Sequence, residues 1–208
     1  MSEMVVERRH PTAAALLERT LEVIESGGEH AVRVEEVSSA CGVSITSLYH
    51  HFGSREGLIE EAQAERFVRV ASANLIAFET EMASIADVGS FRVLIARWVD
   101  ELLGSAMAPA RRARTEILAS AFTRPSLRDR VGENQRTYNS ELVRILVDGQ
   151  RRGIVRRDIP AEDLTFCIHG ITFGRVISEI DPATADRVAD SYRRFATAAL
   201  VDLLVAGD

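Results

Sequence analysis

Lysine is absent from this chain of 208 residues. Its 25 cationic side chains are all arginine, set against 31 acidic ones for a formal net charge of −6. That balance argues against a protein that holds nucleic acid by charge alone, because such affinity rests on neutralised phosphates. It leaves open a short site-specific reader carried on an acidic body. Cysteine is nearly absent too: Cys41 and Cys167 stand far apart and form no CxxC. A disulfide scaffold and a four-ligand zinc site are thereby excluded, and a reducing compartment fits. No stretch approaches the ~20 apolar residues of a membrane span. The first ten residues, MSEMVVERRH, hold no long apolar run of the signal-peptide kind. A soluble, cytoplasmic protein with no membrane partner is expected. Alternating β-branched runs bounded by turn residues are also missing, so strands find little support. GxSxG, HExxH and a phosphate-binding glycine loop do not occur, and nothing points to an enzyme or a bound cofactor.

What the chain has is helical periodicity, nearly throughout. After Pro11 and Thr12, a candidate cap, the residues Leu16, Leu17, Leu21 and Ile24 recur at helical spacing until Gly27-Gly28. Short helices are predicted from about Val34 to Cys41 and from about Ile45 to His51. Longer ones follow: Glu56 to about Phe78, capped by Ser54; Phe91 to Met107 after a loop from Met82 to Ser90; Ala110 to Phe122; Ser126 to about Arg152, closed by Gly153. Pro160 is placed in the first turn of a helix running to Ile180, and Pro182 opens the last, to about Val205. The fold class is all-α, with a small N-terminal three-helix unit and a larger helical remainder. The division falls between residues 1–55 and 56–208.

One segment stands apart. From Val37 to Ser54 the sequence VSSACGVSITSLYHHFGS holds no Asp, Glu, Arg or Lys, although charged residues make up 27% of the chain. A helix, a glycine turn at Cys41-Gly42-Val43-Ser44 and a second short helix make a helix-turn-helix pattern, in which Gly42 permits the turn, Val43 plugs the angle and Ser44 caps the second helix. That helix would expose Thr46, Ser47, Tyr49, His50 and His51, neutral hydrogen-bonding groups suited to phosphate oxygens and base edges. The same spacing fits a mere corner of a helical core. His50 and His51 diverge as helix neighbours and make poor joint metal ligands.

Gly42-Val43-Ser44, then Leu48-Tyr49-x-His51-Phe52, then Ser54-Arg55-Glu56-x-Leu58 closely resemble the signature of the tetracycline-repressor (TetR) family of bacterial transcription regulators, over about Thr12 to Ile59. A weaker echo is Arg152-Gly153 followed by Asp158-Ile159 and Glu162-Asp163-Leu164. The resemblance implies that Ser47, Tyr49, His51 and Arg55 touch phosphates, while Ile45, Thr46 and His50 look into the major groove of a double-stranded operator. Arg8, Arg9 and His10 could add backbone contacts from an arm or form a solvated terminus. Arg33 stands where the family usually has Thr, so the hydroxyl cap is lost and a charge stands in its place. Residues 1–58 carry five Arg against nine Glu, with Glu18, Glu22, Glu25 and Glu29 expected to face solvent. Weak affinity for arbitrary DNA and steep salt dependence follow. The same acidity suits an alternative, a helical ligand- or protein-binding module with little DNA affinity.

The resemblance further implies a small-molecule effector pocket in the larger part and a homodimer through the last two helices, most simply a repressor. Phe67, Phe78, Phe91, Met107 and Phe122 are candidate linings, each also explicable as core. Trp98, Tyr138 and His169 are the preferred ones, because ligand sites are mostly apolar with a few placed polar groups. Arginines 111, 112, 114, 124, 128 and 130 could attract an anion but are read more simply as a solvated face. For pairing, Gly170 and Gly174 share one face of the penultimate helix. Val188, Tyr192, Phe195, Ala196, Ala199 and Leu203 form a stripe on the last.

Overall fold

The computed structural model describes residues 9–206. Pro11 opens α1 (Pro11–Gly27) with a φ suited to the first turn. His10 caps it, its Nδ1 accepting from the Thr12 N–H at 3.3 Å. Thr12 cannot serve as the cap because the helix already begins at the proline before it. α2 (Val34–Ala40) and α3 (Ile45–Phe52) follow, separated by Gly42 at φ 64°. An eight-residue helix is too short to stand on its own. Leu48, fully buried among Leu16, Leu17, Leu21 and Val37, holds α3 in place. Such burial is worth about 2 kcal/mol.

Helix α4 (Arg55–Ser84) runs six residues past the expected end, since Glu79 to Ser84 contains no breaker. The expected loop shrinks to Ile85–Asp87, and Asp87 caps α5 (Val88–Leu103) by accepting from Ser90 N–H at 2.8 Å. α6 (Ala108–Thr123) and α7 (Pro125–Arg152) each carry a proline in the first turn, and α7 stops at Gly153 in the left-handed region. α8 (Ala161–Ser178) begins after Pro160, which sits at the cap rather than inside the helix. α9 (Pro182–Leu204) is capped by Asp181. Among the described residues no β-sheet forms; a single bridge joins Val155 to Val205.

Three apolar cores divide the interior. The first gathers α1 to α3 and extends into α4 through Leu58, Ile59 and Ala62. The largest joins Leu75, Phe78 and Met82 of α4 to α5, α7, α8 and α9. A small one lies between them, with Ala64 and Phe67 of α4 against Ile117 and Ala121 of α6 and Leu127 and Val131 of α7. Helix α4 is therefore common to all three.

The last two helices differ from expectation in how they use their faces. Phe166, Phe173 and Ile177 form an exposed stripe on α8 that Ile180 continues just past its end, and a Cβ on Gly170, which lies in it, would meet nothing within 4 Å. Gly174 instead packs inside the chain: the Tyr192 ring of α9 crosses it, and its hydroxyl donates to the Ile171 carbonyl at 2.6 Å. On α9, Ala196, Leu200 and Leu204 face the core while Phe195 stays exposed. The anticipated stripe of α9 splits because neighbours 195 and 196 point about 100° apart.

Candidate functional site

The turn between α2 and α3 is built from backbone. Val43 N–H donates to the Ser38 carbonyl at 2.9 Å, and Ser44 Oγ accepts from Ser47 N–H at 3.1 Å. This fixes α3 so that Ile45, Thr46, Tyr49 and His50 are exposed, with Ile45 at 39% and Tyr49 at 44%. Ser47 and His51 are half-buried, and the His51 ring stacks on His10 at 5.3 Å. No carboxylate lies on α3.

The flanking arginines are engaged by the protein itself. Arg33, at the N-cap of α2, makes no side-chain cap, and its guanidinium donates to the His30 carbonyl at 2.5 Å. Arg55 folds back, with Nε donating to the Val32 carbonyl at 2.9 Å and Nη2 to the Glu29 carbonyl at 2.8 Å. Arg9 pairs with Glu61 and Glu65 of α4. Arg8 lies outside the described residues.

The second place of interest is a cavity of about 140 Å³ walled by α4 to α9. A cavity of roughly 150 Å³ accepts one benzene ring. Trp98, Tyr138 and His169 all line it, with Phe78 and Met107. Phe67 and Phe91 belong to the cores beside it, and Phe122 is 81% exposed. Arg114 of α6 also reaches the cavity. Its Nη2 donates to Gln135 Oε1 at 3.1 Å and stands 3.4 Å from His169 Nδ1, while its guanidinium lies 5.8 Å from the Phe67 ring centre. His169 Nε2 is 2.9 Å from Asn139 Oδ1, an acceptor. The proton is therefore assigned to Nε2, leaving Nδ1 to accept from Arg114. Burial, and next the Arg114 charge, push His169 down to about 4, so the ring is neutral at pH 7. Burial likewise lowers Arg114 and raises Tyr138.

Two groups were not singled out from sequence. Arg114 is one of six arginines expected on a solvated face, and three of those six are engaged inside: Arg111 pairs with Glu179, Arg124 with Glu29, and Arg114 enters the cavity. Glu29, expected in solvent, accepts from Gln63 at 2.7 Å, from Ser120 at 2.9 Å and from Arg124. Helical periodicity held a hint for Arg114, which falls on the face of α6 shared with Ile117 and Ala121.

Residues 16–62 match the family model for bacterial regulatory proteins of the tetR family. Over 189 residues, 91% of each chain, the protein is 24% identical to the HTH-type transcriptional regulator UidR of Escherichia coli K12. Salmonella enterica GusR shares the fold at a TM-score of 0.63 and 20% identity, covering 96% of this chain and 98% of its own. A protein from Saccharomonospora viridis, described as a transcriptional regulator and solved with choline, does so at 0.66 and 20%, covering 94% and 98%. Among the described residues no helix is long and apolar enough to cross a membrane. Residues 16–62 thus carry the segment matched by the tetR-family model, and the chain as a whole is similar to UidR and shares its two-part helical fold with these transcriptional regulators.

Proposed function

We propose that the protein is a cytoplasmic homodimeric repressor, held on a palindromic operator by two copies of α3 and released by a small molecule in the cavity. One observation carries the reading: a solvent-facing helix displays Ile45, Thr46, Tyr49 and His50, free of carboxylates, on a protein that otherwise carries an excess of acid. In this assignment Ile45, Thr46 and His50 meet base edges, and Ser47, Tyr49, His51, Arg33 and Arg55 meet phosphates. Residues 1–55 form the reader and 56–208 the effector and dimer part, with α4 continuing the first core to Ala62. The exposed apolar stripe of α8 supports pairing about a two-fold axis, which spaces two readers about one DNA turn apart. An effector that prefers a different spacing lowers operator affinity by that preference. Choline, bound by the Saccharomonospora viridis neighbour, is a cation and is not expected here beside Arg114.

Selection of bound sequences from a random DNA pool tests the proposal. A palindromic site should be enriched, and Tyr49→Ala should weaken binding to it about hundredfold, each half-site losing ~1–2 kcal/mol. No enriched sequence, or an unaffected variant, would overturn it. The alternative binding module is favoured by one feature, the guanidinium of Arg55 spent on the carbonyls of Val32 and Glu29. Failure of the selection would support that alternative.

A further inference from the structure

The cavity carries a cation that no carboxylate among the described residues neutralises. Arg111, which also lines it, and the buried Arg175 both meet the Glu179 carboxylate. Arg114 meets none: among the described residues no carboxylate oxygen lies within 4 Å of its guanidinium, and no Asp or Glu lines the cavity. Its protein partners are a neutral amide and a neutral imidazole. Its Nε has no acceptor among the described residues. A second donor is in the same position. Trp98 is 95% buried (5% exposed), lines the same cavity, and its Nε1–H has no acceptor among the described residues.

Buried donors without acceptors are costly, and a buried unpaired cation is costlier. An acceptor entering the cavity would satisfy both. The remaining wall is apolar, with Phe78, Ile95 and Leu142 among the lining. The orphaned donors call for an anionic head, and the volume and wall call for an apolar body about one ring in size.

We propose that the cavity binds a small organic acid as its carboxylate, the anion on Arg114 and Trp98 and an aryl or short alkyl body against Phe78 and Leu142. Gln135, held by Asn139 Oδ1 at 2.6 Å, and His169 fix the guanidinium from behind. They are positioning residues. This deepens the effector reading above and rests on it for the consequence at the operator.

Calorimetric titration of the full chain with benzoate, phenylacetate and octanoate tests the site, with benzamide and benzyltrimethylammonium as neutral and cationic controls. At least one carboxylate should bind about tenfold or more tightly than benzamide, the difference a charge-assisted pair supplies. Arg114→Met should abolish that preference, and Trp98→Phe should reduce it without removing it. Should Arg114→Met fail to fold, Trp98→Phe and the benzamide comparison still decide. Equal binding of benzamide and benzoate, or binding of none of the three acids, would overturn the proposal. Operator affinity measured alongside separates the two readings. A carboxylate that binds without loosening DNA keeps the anion site and defeats the effector role. Release by the ammonium compound alone keeps the effector role and defeats the anion site.

Discussion

Arg124, at the end of α6, donates to the carboxylate of Glu29, 95 positions earlier in the chain and in the short turn that precedes α2. Gln63 of α4 and Ser120 of α6 donate to the same carboxylate. One side chain of the DNA-reading unit is thus tied to both the linking helix and the wall of the larger unit.

Burial alone would raise the Glu29 carboxyl; the bonds from Gln63, Arg124 and Ser120 outweigh it and hold the pKa below its ordinary value. A depressed carboxyl contributes stability that is complete above the unfolded pKa of about 4.3 and is lost as pH falls through the folded one. Glu29→Gln should therefore cost about 1–2 kcal/mol at pH 7, a buried-pair loss reduced for the partial exposure of both groups. Urea titrations at pH 7 and pH 3.5 check this: the gap between variant and native protein should narrow at the lower pH.

His169 works on a different window. With its folded pKa near 4 against about 6.5 unfolded, the unfolded chain takes up a proton between these values and the folded protein does not. Stability must fall as pH drops from about 6.5 to 4, by up to roughly 3 kcal/mol from this group. His169→Gln should flatten that part of the curve. A native-like slope in the variant would show that the ring titrates normally.

The stripe of Phe166, Phe173, Ile177 and Ile180 predicts the oligomeric state. Ile177 is 76% exposed, so Ile177→Glu should leave the protomer folded while converting a dimer to monomers in sedimentation velocity. Operator affinity should fall with it, because a single reader loses its partner half-site. An Ile177→Glu protein that sediments as a dimer places the interface elsewhere.

Gly174 gives a sharper test of packing within the protomer. A Cβ there would run into the Tyr192 hydroxyl. Gly174→Ala should destabilise by about 1–2 kcal/mol, and adding Tyr192→Phe should recover part of that, an interaction a double-mutant cycle reads directly. Additive losses would mean that the two residues do not touch.

Local chemistry was legible in the sequence. Gly42 and Ser44 marked the turn and cap because each answers a demand of its own backbone, and the prolines fell at helix starts for the same reason. The Ser44 cap and the Gly42 turn stand in the structure as expected. Trp98, Tyr138 and His169, singled out for their amphipathic chemistry, line one cavity. What periodicity could not tell was which distant group a charged residue would find. Glu29 sits in a solvent-like run of acids, and only the fold brings Arg124 to it. Arg114 looks like its five neighbouring arginines until α7 and α8 close over it. Gly174 shares its spacing with Gly170, yet α9 packs on one and leaves the other bare. Helix extent erred where no breaker existed, as at the end of α4.

That unbroken α4 makes the molecule a lever. It carries Phe78 against the cavity and Leu58 in the core that seats α3. At about 1.5 Å rise per residue these two side chains lie roughly 30 Å apart along one rod. A tilt of about 4° at the cavity end carries the far end about 2 Å over that length. In the proposed dimer, two such rods tilting in opposite senses would change the span between readers by about 4 Å, against grooves about 34 Å apart.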